Sequence, residues 1–104
     1  MEGSTNRIKI PANSTWSFTA TIVARETATA NAKTFTRRGL IGNNAGEVTI
    51  SALDTIGTDH VLGTLNATIA ITADNTNDAL KIVGTGVVAK NIKWTAQVNI
   101  TQVG

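Results

Sequence analysis

Thr15-Trp16-Ser17-Phe18-Thr19-Ala20-Thr21-Ile22-Val23-Ala24-Arg25-Glu26 decides the fold. Trp16, Phe18, Ala20, Ile22 and Ala24 share one parity, while Thr15, Ser17, Thr19, Thr21 and Arg25 take the other. Period-two alternation over so many residues describes a long β-strand with one face buried and one wet. Ile92-Lys93-Trp94-Thr95-Ala96-Gln97-Val98-Asn99-Ile100 repeats the pattern, with apolar residues at even positions. Two long strands that each keep a wet face belong to an antiparallel sheet, because parallel strands are covered on both sides.

Shorter runs lie around and between these two. Val48–Ala52 alternates, as do Thr68–Thr72 and Leu80–Ile82, and Phe35–Ile41 alternates more weakly. An opening strand over Arg7–Ile10 stops at Pro11, which cannot donate to a ladder. Gly42-Asn43-Asn44-Ala45-Gly46, Asp74-Asn75-Thr76-Asn77-Asp78 and Gly84-Thr85-Gly86 read as turns. No window carries a 3.6-residue apolar stripe, and the alanine-rich Thr27–Lys33 is too short for a stable helix. The pattern predicts an all-β fold, an antiparallel, jelly-roll-like β-sandwich of about seven to eight strands. Residues 1–4 read as an excision scar or linker and residues 5–104 as one domain. Trp16 and Trp94, at matching parity on the two longest strands, are expected to be buried together in one core.

Composition narrows the function classes. The 104 residues hold no cysteine, which removes disulfides, thiolate metal sites and thiol nucleophiles. Threonine and asparagine dominate the polar residues, one suited to pleated surfaces and the other to turns. The net charge of +2 is small, and Arg37-Arg38 is the only tight basic cluster, so nucleic acid is not an expected partner. No apolar run approaches the ~20 residues of a membrane-spanning helix, and Met1-Glu2-Gly3-Ser4-Thr5 lacks the apolar region of a signal peptide.

Individual motifs favour turns and strands over chemistry. His60 is the single histidine, and the serines sit where strands and turns ordinarily carry them, so no triad is expected. One histidine without cysteine also falls short of a zinc site. The Asp74–Asp78 run has the oxygen spacing of a calcium loop but lacks the downstream bidentate glutamate. It is expected to be a hairpin turn whose stability does not depend on calcium. Sequons at Asn13, Asn66 and Asn99 are what so threonine- and asparagine-rich a chain yields by chance. No acidic pair on a strand face suits glycoside hydrolysis, and without tyrosine an aromatic sugar platform is hard to assemble. The chain is therefore read as a non-enzyme, with no catalytic, cofactor or metal residues. The candidate surface contacts are the arginines Arg25, Arg37 and Arg38, the amides Asn43, Asn44, Asn75 and Asn77, and the carboxylates Asp74 and Asp78.

Scattered stretches resemble a module found at the C-terminal ends of bacteriophage tail fibres and tailspikes. They are Ile10–Phe18, Val23–Arg25, Gly42–Gly46, Ala73–Leu80 and Asn91–Val98, spanning about Ile8 to Val103. The family places arginine at Lys93 and acid near Gln102, and this chain departs at both. The resemblance implies a distal β-sandwich on a homotrimeric viral fibre, on the extracellular virion tail, for trimer assembly and attachment to a host-surface glycan or protein. It implies no catalytic residue. A different class of function also fits the residues, a carbohydrate-binding module appended to a secreted bacterial enzyme. The uncharged second face of the long strands favours self-association through strand faces or edges rather than loops: Thr15, Ser17, Thr19 and Thr21 on one, Thr95, Gln97, Asn99 and Thr101 on the other.

Overall fold

The structure, a computed structural model, describes residues 4–104. The expected antiparallel sandwich forms, from β1 (Ser4–Lys9), β2 (Ser14–Glu26), β3 (Ala32–Asn44), β4 (Glu47–Thr55), β5 (His60–Leu62), β6 (Thr68–Asp74), β7 (Ala79–Thr85) and β8 (Ile92–Val103). A larger sheet runs β4-β3-β2-β8, with β5 continuing the edge begun by β4 along β3, and a smaller sheet runs β1-β7-β6. Every pairing is antiparallel. No helix occurs among the described residues, and Thr27–Asn31 is a loop. Most of residues 1–4 lies outside the described residues, but Ser4 already belongs to β1, paired with Gly84.

β2 behaves as its sequence dictates. Its even positions from Ser14 to Glu26 are all buried, and its odd positions are exposed except for half-buried Thr19. At about 3.3 Å per residue this strand is roughly 43 Å long, matching the 45 Å long axis of the molecule. Trp16, Phe18, Ala20, Ile22 and Ala24 meet Phe35 and Ile41 of β3 and Ile71, Leu80 and Ile82 of the smaller sheet in one core. Each large side chain so buried contributes about 1.5–3 kcal/mol.

Two glycines are required by this packing. A Cβ at Gly39 would lie 2.7 Å from the Phe18 ring and from the Ala52 carbonyl, and one at Gly84 would lie 2.7 Å from the Trp94 ring. Gly84 therefore sits inside β7 rather than in a turn, because the indole needs a flat floor. The turn expected over Gly42–Gly46 is likewise shorter. β3 runs on through Asn44, and only Ala45-Gly46 turn, both at positive φ as a two-residue hairpin demands.

The tryptophans share the inner face but not a neighbourhood. Register places Trp16 opposite Gln102 and Trp94 opposite Ala24. Because β2 and β8 run in opposite directions, equal parity puts the two indoles eight rows apart, about 26 Å. Trp16 is buried with its Nε1–H donating to Gln102 Oε1 at 2.7 Å. Trp94 is half-buried against the core, and its Nε1–H has no partner among the described residues.

The edges differ in kind. β4 carries Glu47 and Asp54 and a bulge at Ser51, where Ile41 pairs with Ile50 but Leu40 with Ala52. β1 carries Arg7 and Lys9, and β6 ends in Asp74. β8 pairs with β2 through twelve successive rows without a break, and Lys93 is its single charge in 12 residues.

Candidate functional site

The nine polar residues singled out from the sequence fall into two groups. Asn43, Asn44, Asp74, Asn75, Asn77 and Asp78 gather at the end of the sandwich where β2 begins and β3 ends. The hydrogen bonds that gather them are specific. Asn43 Nδ2 donates to the Ile10 carbonyl at 2.9 Å while its Oδ1 accepts from Gly46 N. Ile10 N in turn donates to the Asp78 carbonyl at 2.8 Å. Val48 N donates to Asn75 Oδ1, tying the β6–β7 hairpin to the start of β4.

Several of these residues are spent on the fold. Asn43 is 3% exposed, so it is not a surface contact. It lies on the inward parity of β3, and its amide replaces partners that the Ile10 and Gly46 backbone would otherwise lack. Asp74–Asp78 is the hairpin turn between β6 and β7. Asp74 Oδ1 accepts from Thr76 N and Asn77 N at 3.1 Å, and Oδ2 accepts from Asn77 Nδ2 and Arg7 Nε at 2.8 Å. Asn77 and then Arg7 hold its carboxyl well below the usual range, at about 2. Asp78 supplies the left-handed residue that closes the turn. No cluster of three or more His, Asp or Glu able to hold a metal occurs among the described residues.

The arginines are dispersed. Arg25 is exposed on β2, between Ala32 and Lys93. Adjacent Arg37 and Arg38 point to opposite faces. Arg37 makes a bidentate pair with Asp59 at 2.7 and 3.0 Å and lies 5.7 Å from the centre of the Phe35 ring, whose face also meets Lys33 at 5.1 Å. Arg37 holds the Asp59 carboxyl below its usual range, and Asp59 raises Arg37. Arg38 reaches Asp54 only loosely, at 3.7 Å, with both side chains more than half exposed. His60 is exposed on β5 opposite Thr34.

What remains open at the asparagine end is a cleft of about 370 Å³ on the outer face of the larger sheet. Its floor is a cross-strand row, Thr15–Gly42–Thr49, in which glycine stands between two threonines. Asn13, Asn44 and Glu47 close its outer end. Asn13 adopts φ 60° and Ala45 φ 52°, a conformation that costs an L-residue roughly 1–2 kcal/mol. Asn13 Oδ1 accepts from Ala45 N at 3.2 Å, so the two strained residues hold each other. The sequence marked Asn44 but not Asn13, Thr15, Glu47 or Thr49, which come together only through the β2–β3–β4 register.

The second feature is an uncharged patch on the outer side of β2 and β8. Rows Ser17–Thr101, Thr19–Asn99, Thr21–Gln97 and Val23–Thr95 join β2 to β8 with no charged side chain, and beyond them runs the unbroken edge of β8. Near the far end, Val23 and Leu62 leave apolar surface exposed beside His60.

Compared with known proteins, the chain matches no family model, no curated protein and no solved structure.

Proposed function

We propose that this domain is a non-catalytic assembly and attachment module, the distal β-sandwich of a bacteriophage tail fibre or tailspike, that acts as a homotrimer on the virion tail. The observation that carries assembly is β8, twelve residues of bare edge with one charge, no bulge and no proline, backed by an uncharged threonine–asparagine face. Soluble monomers protect such edges with lysine, proline, bulges or brevity; β1, β4 and β6 carry charges, β4 also a bulge, and the edge strand β5 is only three residues long. Copies that meet along β8 leave the cleft, which spans β2, β3 and β4 with Gly42 at its centre, open for attachment. A non-enzymatic reading is supported by the commitment of three carboxylates to structure: Asp59 to Arg37, Asp74 to Arg7 and Asn77, Glu26 to Lys90.

Size exclusion with light scattering tests the assembly. The expected mass is three times the 10.8 kDa chain, and Gln97→Lys with Asn99→Glu should dissociate it. A clean monomer at high concentration removes the trimer. The polar cleft alone favours the second reading, a carbohydrate-binding module of a secreted enzyme, which would be monomeric and still bind sugar.

A further inference from the structure

Gly42 is a glycine that the fold does not need. Its φ is not in the left-handed region, and an added Cβ would meet nothing closer than Thr15 Oγ1 at 3.6 Å, an ordinary contact. Gly39, three residues earlier on the same strand, has 2.7 Å contacts that forbid any side chain. Glycine inside a strand weakens it, and it often marks a bulge or a place where a ligand or another backbone comes close; the bulge of this ladder lies at Ser51, opposite Leu40 and Ile41 rather than Gly42. At Gly42 that bare backbone is the floor of the cleft.

We propose that the trough over Gly42 binds one unit of a neutral, hydroxyl-rich glycan. The groups around it are the ones that recognise sugar hydroxyls. Thr15 and Thr49 offer hydroxyls from the two walls. Asn44 offers an exposed amide, and Glu47, which makes no ion pair among the described residues, offers a carboxylate that accepts from vicinal hydroxyls. Leu40 lies two residues along β3 on the same face, 43% exposed, where the C–H face of a pyranose ring can rest. Glu47 is the only charge in the lining, so an anionic sugar is disfavoured. The volume suits a small ligand, within the range of about 300–1,000 Å³ usual for such sites, but the lining is polar and the cleft open, so the ligand is hydrophilic. Pre-organisation comes from Asn13 and Ala45, both held left-handed at its rim.

The assignment rests on reading the chain as an attachment module and gives that reading a ligand class; it does not depend on the oligomer mass. The test is an NMR titration of the full chain, isotope-labelled, with glucose, galactose, mannose, N-acetylglucosamine and, as the anionic arm, sialic acid. At least one neutral sugar should give saturable shifts confined to Asn13–Thr15, Gly42–Asn44, Glu47 and Thr49. Gly42→Val should keep the melting temperature and weaken binding at least about tenfold. Asn44→Ala, at an exposed position, gives a second reading of the same loss should valine disturb β3. The proposal is overturned by no saturable shift with any neutral sugar, by shifts centred elsewhere, by preferential binding of sialic acid, or by full affinity in both variants. A trimer that binds none of these sugars would leave assembly standing and remove only the ligand.

Discussion

The two ends of the larger sheet are built from the same strands but held by different chemistry. At the end where β2 begins, neutral amides do most of the joining: Asn43 to Ile10 and Gly46, Asn13 to Ala45, Asn75 to Val48. At the end where β2 finishes, charges join. Glu26, only 4% exposed, accepts from Lys90 at 3.1 Å and also from Thr29 and Asn31, and Lys33 reaches across to the Ala67 carbonyl. The tryptophans follow the same division, Trp16 satisfied at the first end and Trp94 with an unpartnered N–H at the second. An amide both donates and accepts, so a short asparagine can bridge two backbones and still leave the outer surface uncharged. At the second end Glu26 pairs with Lys90, while Arg25 and Lys93 stay exposed.

The strongest way to break this comparison is truncation of the indoles. Trp16→Ala is expected to cost about 3–5 kcal/mol in chemical denaturation, the range for a large core residue, while half-buried Trp94→Ala costs visibly less. Equal costs would erase the difference between the ends. Asn43→Ala comes next, at about 1–3 kcal/mol, because it strands the Ile10 carbonyl and the Gly46 N–H. This loss should be the same at neutral and mildly acid pH, since no titrating group takes part. Ala45→Gly should act in the opposite direction, raising stability by a few tenths to about 1 kcal/mol in the same assay by relieving the φ of 52°.

Acid sharpens the contrast further. Lys90 first, with Thr29 and Asn31, holds the Glu26 carboxyl below its ordinary value of 4.5, and Asp74 is held at about 2 against an ordinary 3.8. Both are depressed on folding, so their stabilisation is present above the unfolded values and lost as pH falls through the folded ones. Melting temperature should therefore decline below about pH 4.5 and keep declining toward pH 2. Asp74→Asn should flatten the lower part of that decline, and an unchanged profile would show that the turn network does not bind its proton as described. The smallest effect belongs to Trp94→Phe, which removes an unsatisfied N–H and should leave stability near wild type. The fluorescence that remains, from Trp16 alone, should resist an aqueous quencher.

Much of the fold was legible in residues whose parity could be counted. β2 follows its alternation throughout and β8 as far as Val98, with Ile100 exposed, and the Asp74–Asp78 turn falls between β6 and β7 as its asparagines and aspartates dictate. β5 was invisible, because three exposed residues carry no alternation. Parity also assigned both tryptophans to the inner face but could not separate them, since distance along a sheet is set by register, not by parity. The site was less legible for the same reason. Asn44 stood out by composition, but Gly42 read as a turn residue, and its neighbours Thr15 and Thr49 are supplied by strands 27 and 7 residues away in the chain. Arg37 could not be assigned its partner either, because Asp59 is 22 residues distant.

The order in which the strands leave the chain has a kinetic consequence. β2 can zip to β3 through a short loop as soon as Asn44 is available, but its other side waits for β8, so Thr15 pairs with Val103 only when nearly the whole chain is present. Loop closure over such a span is slow compared with a hairpin. Until the last strand docks, the exposed edge is that of β2 rather than β8, thirteen residues long and apolar on one face from Trp16 to Ala24. A nascent chain on the ribosome passes through this state, so the interval before the final strand emerges is when misassociation between neighbouring chains is most favoured.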